Sequence, residues 1–181
     1  MKKIIYLLVI LSIAFVSCDS RKSQNDLLKE AISEYNTKQP KVETISYYPT
    51  EYTEVATDTL ISNKVNIHIK NYSLIDENIL LTKTDNHTKY HRVFESEISI
   101  KTEDKHILST IINAEKFANI KEHFWNNATL QQVWVNQELS TVEEINIDLS
   151  FINPLDKTYK LYRMSVNYNG QQEIHLIEEQ S

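Results

Sequence analysis

One glycine, Gly170, serves the whole 181-residue chain, where about 7% of residues is usual. Glycine is the default wherever backbone must turn left-handed, so most tight turns here must be made by other residues, and asparagine is the next most tolerant. The scarcity also removes whole classes of chemistry. A dinucleotide fingerprint, a Walker loop and a G-x-S-x-G nucleophile elbow each need glycines at fixed spacing, and none can be written around Gly170 alone.

What fills the chain instead is alternation. Lys64 to Lys70 places Val65, Ile67 and Ile69 on one side and Asn66 and His68 on the other, the pattern of a half-buried antiparallel strand. Upstream, Val42 to Val55 carries Tyr47, Tyr48 and Tyr52 around Pro49; proline excludes a central strand, so an edge strand or a covering loop is expected, with the tyrosines as core, rim or an exposed aromatic platform for a glycan. Further strands are expected at Leu130 to Asn136, Glu144 to Ile152, Thr158 to Asn167 and Gln171 to Glu178.

Two hairpins have a register that can be argued. In Arg92 to Ile112, pairing Lys101 with His106 across Glu103-Asp104 sets Ile100 beside Ile107 and Ile98 beside Ser109. At Asn169-Gly170, a two-residue turn would set Met164 against His175, apolar against polar. A three-residue loop ending in a left-handed glycine bulge sets Met164 against Ile174 and Tyr162 against Leu176, and this register is expected. Between the strands, Asn113 to Trp125 predicts a helix lying across the sheet, capped by Asn113 and striped by Phe117, Ile120, Phe124 and Trp125. The fold class is therefore mainly β or α+β: an antiparallel curved sheet or two-layer β-sandwich with one helix packed on a face.

The N-terminus follows other rules. Lys2 and Lys3 precede an apolar run from Ile4 to Val16, broken by Ser12 and closed by Ser17-Cys18. A spanning helix needs roughly 20 apolar residues, so this shorter run reads as a cleaved signal. With Cys18, the only cysteine, at its end, the segment resembles a bacterial lipoprotein signal peptide with its lipobox, although Phe15 and Val16 depart from the commonest Leu-Ala pattern. The resemblance implies cleavage before Cys18, diacylation of its thiol and usually acylation of the new N-terminus, with palmitate-like chains. Two or three such chains anchor a protein durably where one does not. The expected layout is a signal peptide over residues 1–17, a lipid-anchored tether and short helix over 18–40, and one β-rich domain over 41–181. In the helix, Leu27, Leu28, Ala31, Ile32 and Tyr35 share a stripe, Asn25 or Ser23 caps, and Gln39-Pro40 terminates. The expected location is the cell envelope, lipid-anchored to a membrane, the outer one.

Removing residues 1–17 leaves 164, enough for one domain. Taking Lys2 and Lys3 from 19 basic residues leaves 17 against 25 acids, a mature net charge of -8. Such a surface repels phosphate backbones, so no nucleic acid partner is expected. From Arg92 onward, the succession of ILSTIINAEKF, a helix and INIDLSFINPLDKTYKLYRMSVNYNG resembles an uncharacterised lipoprotein family of Bacteroidota-type bacteria, a domain of unknown function. It covers at most half the chain and implies no activity.

Candidate chemistry is sparse. His87 and His91 stand four apart, but TDNHTKYHR reads as a polar loop and lacks the glutamate of H-E-x-x-H, so neither metal nor cofactor is expected. Glu143-Glu144 and Glu178-Glu179 are adjacent, which on strands points them to opposite faces. The N-x-S/T sequons at Asn71, Asn86 and Asn127 are short enough to arise by chance. Two function classes stay open. One is a non-catalytic envelope lipoprotein, a binding or structural module held to the membrane through lipid on Cys18 and facing a protein or glycan partner. The other is a glycan- or peptidoglycan-processing hydrolase or its accessory factor, whose carboxyl pair, about 5 to 9 Å apart, only the fold could assemble.

Overall fold

The computed structural model describes residues 23–38, 43–117 and 122–180. The signal peptide, Cys18, the tether and Gln39-Pro40 lie outside the described residues. The chain divides into two compact units, Met1–Val42 and Glu43–Ser181. In the first, α1 spans Gln24–Lys38, as the stripe predicts. Ser23 caps it: the Asn25 N–H donates to Ser23 Oγ at 3.1 Å, and the Asp26 N–H to the Ser23 carbonyl at 2.9 Å. Leu27, Leu28, Ile32 and Tyr35 are exposed.

The second unit is mainly β, with nine strands in two sheets among its described residues: β1 (Thr44–Tyr48), β2 (Glu54–Ile61), β3 (Val65–Lys83), β4 (His87–Lys101), β5 (His106–Ile112), β6 (Thr129–Val135), β7 (Glu144–Ile152), β8 (Tyr159–Asn167) and β9 (Gln172–Gln180). Sheet A runs β1-β4-β3-β2, with β5 also on β4; sheet B is the meander β6-β7-β8-β9. One pairing departs from the antiparallel expectation, because β1 runs parallel to the start of β4, Thr44 against His87 through Tyr48 against His91. As Pro49 requires, β1 is an edge strand that stops before the proline.

Alternation dictates where the core sits. On the inner face of sheet A, Val65, Ile67, Ile69, Ile98, Ile100, Leu108 and Ile112 are buried; from sheet B come Val133, Val135, Ile145, Ile147, Leu149, Tyr162, Met164 and Val166, all in one cluster. Burying each such aliphatic side chain contributes about 1.5–3 kcal/mol. The outer face of β7 is also covered, by the chain after β6. Asn146 donates to the Leu139 carbonyl at 2.9 Å, and Asp148 accepts from Arg163 Nε at 2.7 Å, Arg163 Nη2 at 3.0 Å and Asn136 Nδ2 at 3.0 Å.

Three expectations change or sharpen. The helix over Asn113 to Trp125 is not formed: its described residues make two 3-10 turns, Ala114–Phe117 and His123–Asn127, while residues 118–121 lie outside the described residues. On one continuous helix, residues 117 and 125 would stand about 12 Å apart along the axis. Here the Phe117 and Trp125 rings stack at 5.1 Å and both meet Phe151, at 4.7 and 5.2 Å. Aromatic packing at the end of the core outweighs local helical preference.

The β4–β5 hairpin keeps Lys101 against His106, but a bulge after Ile100 shifts the rest, placing Ile100 opposite Leu108 and Ile98 opposite Thr110. Leu108 and Ile112 are thereby buried, and Ile111 is 45% exposed. The β8–β9 hairpin has the expected register, Met164 against Ile174 and Tyr162 against Leu176, with Gly170 at φ +81°. Asn63 (φ 55°) takes a left-handed turn position as foreseen for asparagine, and so do Ser62 and Lys157.

A side chain at Gly170 meets two obstacles, the positive φ and the Ile107 carbonyl oxygen 2.5 Å from the Cβ position. Backbone cannot swing aside as a flexible side chain can. Gly170→Ala is therefore expected to destabilise the protein by about 1–3 kcal/mol, measured as a lower denaturant midpoint with unchanged slope.

Candidate functional site

The sheets overlap along their centres and part along one side. There, edge strand β2 of sheet A and edge strand β6 of sheet B border a seam of about 520 Å³. Its β2 wall is Val55, Thr57 and Thr59, which point inward in register with Asn71, Ile69 and Ile67 of β3. Its β6 wall is Val133 and Val135, which face inward opposite Leu149 and Ile147 of β7; Gln132 and Trp134 border it at the strand edge but point outward with Ser150 and Asp148, and Gln131 and Gln137 border it as well. At the inner end the Phe94 N–H donates to Thr129 Oγ1 at 2.8 Å and ties β4 to β6.

Two polar groups sit wrongly for a core. The inner face of β3 reads Val65, Ile67, Ile69 and then Asn71; that of β4, read backwards, gives Ile100, Ile98 and then Ser96. Asn71 and Ser96 are direct partners in the β3–β4 ladder. Asn71 Oδ1 and Ser96 Oγ are both buried without a hydrogen-bond partner, and Ser96 is 0% exposed. Such a group costs about 1–3 kcal/mol when unsatisfied. Asn71 lines the seam and Ser96 stands behind it. Sequence reasoning noted Asn71 only as a sequon and missed Ser96. The available signal was a polar residue interrupting the apolar face on two strands at once.

The one carboxylate in the seam's lining, Glu54, is already engaged: it accepts the Tyr52 hydroxyl at 2.5 Å and Lys70 Nζ at 3.0 Å. The hydrogen bond from Tyr52, then that from Lys70, holds the Glu54 carboxyl below the usual range, and the same bonds raise Tyr52 and Lys70.

Other cavities are made differently. Two, of about 610 and 640 Å³, lie among turn residues such as Asn63, Lys64, Thr102 and Glu103. A smaller hollow of about 260 Å³ is bordered by Glu95, Asn113 and Trp125, whose indole N–H is also unpartnered. Tyr72 donates to Glu95 there, and burial followed by the charge of Glu95 pushes its pKa up to about 12.

The residues singled out by sequence do not converge. His87 and His91 lie on β4 rather than in a loop, where four residues span about 13 Å; His87 Nε2 is 3.1 Å from Ser46 Oγ, and His91 Nδ1 is 2.7 Å from the Arg92 carbonyl. Among the described residues no group of three or more His, Cys, Asp or Glu could hold a metal ion. Glu178 and Glu179 do part to opposite faces, Glu178 accepting from Tyr159 and Glu179 from Lys160. Burial alone would lower Lys160, but Glu122 and Glu179 outweigh it and raise its pKa. Among the tyrosines, Tyr47 stacks on Tyr90 at 5.5 Å beneath Arg92, while Tyr48 and Tyr52 are exposed.

No family model matches the chain, and no curated protein matches it significantly.

Glu54 supplies a pH test. Because its pKa is lowered by folding, its contribution to stability is present above the ordinary value of 4.5 and is lost as pH falls through the lowered one. Tyr52→Phe and Lys70→Met are each expected to move the Glu54 carbon-13 titration midpoint up toward 4.5, and to narrow the stability difference from wild type in acid. An unmoved midpoint would show that neither partner holds the carboxylate.

Proposed function

We propose that the chain is a lipid-anchored lipoprotein of the cell envelope, held to the outer membrane through Cys18, and that its β unit is a non-catalytic binding module with the β2–β6 seam as its binding surface. The observation that carries this reading is the seam itself: a concave space of about 520 Å³ walled by strands and lined by both apolar and hydrogen-bonding side chains. Sites of that construction are where ligands bind, and strand walls hold geometry better than loops. The anchor rests on the Met1 to Cys18 pattern. Among the described residues no helix is long and apolar enough to cross a membrane.

The alternative is a glycan- or peptidoglycan-processing hydrolase or its accessory factor. Two-carboxylate hydrolysis needs an acid and a base or nucleophile facing one bond. The seam's lining offers Glu54, and that carboxylate is tied to Tyr52 and Lys70. The lining therefore favours binding.

Two experiments test the halves of the proposal. Replacing residues 1–18 with an ordinary secretory signal is expected to leave a soluble, folded product that departs from the membrane pellet in low salt; a product released only by detergent would remove the lipid anchor from the account. For the seam, a photoreactive benzophenone side chain placed at Thr57 or Thr59 of the full chain in cells is expected to give an envelope adduct that the same probe at Glu173, on the opposite edge of sheet B, does not give. Equal labelling from all three positions, or none from the seam, would contradict the binding surface.

A further inference from the structure

Resting on the seam as a binding surface, we infer that its ligand is an uncharged sugar chain, with Asn71 and Ser96 forming the receptor for one ring hydroxyl and the inward hydroxyls of Thr57 and Thr59 beside them. Three observations on different links of the chain converge.

The first is where the space lies. A peptide strand added to β2 or β6 would sit beside that strand, in the plane of its sheet, and be recognised by backbone groups. The seam lies between the two planes, against inward side chains such as Thr57, Thr59 and Val133. The roughly 10 Å between packed sheets is ordinarily filled by interdigitated side chains; along the β2–β6 side a space of about 520 Å³ remains for a ligand.

The second is the unsatisfied pair. Asn71 Oδ1 needs a donor, and the Ser96 hydroxyl needs a partner of either kind; they are ladder neighbours, Asn71 in the seam's lining and Ser96 buried beside it. A single hydroxyl donates one hydrogen bond and accepts two, so it can serve both at once. Ser96 is fully buried, so a small movement of the Asn71 amide must admit the hydroxyl. Sites built to hydrogen-bond a hydroxyl discriminate strongly, because a ligand lacking it leaves them unpaired.

The third is charge. The mature chain carries a net -8 by sequence, and the seam's lining holds no lysine or arginine. Phosphorylated or carboxylated sugars are repelled from such a surface. The lining's one carboxylate, Glu54, is tied to Tyr52 and Lys70, and the polar groups on its inward face are neutral: the hydroxyls of Thr57 and Thr59 and the amide of Asn71.

The test is calorimetric titration of the full chain, kept in lauryldimethylamine oxide because that detergent has no sugar headgroup. The probes are the tetramers of N-acetylglucosamine, glucose in α and in β linkage, and mannose, with capped tetra-alanine as the peptide counter-probe. At least one sugar is expected to bind, with Ser96→Ala and Asn71→Ala each weakening it about tenfold and exposed Glu173→Gln leaving it unchanged. Ser96→Ala separates a ligand receptor from a structural hydroxyl. Since Ser96 Oγ has no partner, the variant is expected to melt at the same temperature as wild type or higher while binding worse. A lower melting temperature would mean the hydroxyl is already bonded inside the protein, and would overturn the receptor. Binding by none of the four sugars, or binding indifferent to both substitutions, overturns the inference. If tetra-alanine alone binds, the sugar inference fails while the seam survives as a binding surface.

Discussion

Face-to-face burial of branched aliphatic side chains between two sheets is the interaction on which the rest of this structure depends. Ile67 and Ile100 from one sheet and Ile147, Leu149 and Met164 from the other are all 0% exposed. Cys18 is the chain's one cysteine, so no internal disulfide shares the load, and dispersion and desolvation between the inner faces must hold the fold. The remaining devices serve that contact. The aromatic cluster of Phe117, Trp125, Phe151 and Tyr162 closes one end. Arg92, 8% exposed, donates to the carbonyls of Pro49, Thr50 and Ile75, fastening the chain after β1 to sheet A.

A sandwich of this kind has edges, and the treatment of each edge shapes what the molecule can do. β4 has both edges occupied, by β3 on one side and by β1 and then β5 on the other. β2 and β6 do not, and along them the interior opens into the seam. The apolar face changes character at the same place, since Asn71 and Ser96 stand where the ladder would otherwise continue with isoleucine. Stability given up at one spot on a well-packed scaffold is a frequent mark of function. The two observations, an open space and unpaired groups beside it, are independent.

Much of the fold was legible because alternation reports directly which face is buried. Val65, Ile67 and Ile69, and Ile145 through Phe151, specify their strands without ambiguity, and the register at Gly170 followed from matching apolar to apolar across a three-residue loop. The β4–β5 register was harder: Ile107, Leu108, Ile111 and Ile112 offer two interleaved apolar faces, and only the bulge after Ile100 decides between them. The segment after Asn113 misled because helical spacing of aromatics is also what a folded-back cluster needs. Of the candidate site, Asn71 and Ser96 were individually readable as interruptions of an apolar face. Their adjacency was not, since it depends on how β3 pairs with β4, 25 residues away along the chain.

Sheets that pack together at their centres and border an open seam along β2 are expected to open separately there. Native-state hydrogen exchange of the full chain, followed residue by residue at increasing sub-denaturing urea, measures this directly. The account predicts that amides of Ile147 and Leu149 in β7 and Met164 in β8 exchange only through global unfolding, with steep urea dependence, while those of β2 that pair with β3 exchange through a smaller opening nearly independent of urea. If β2 amides merged with β7 at the lowest urea concentration, the seam would be as rigid as the core, and the account of a locked centre with an open edge would be wrong.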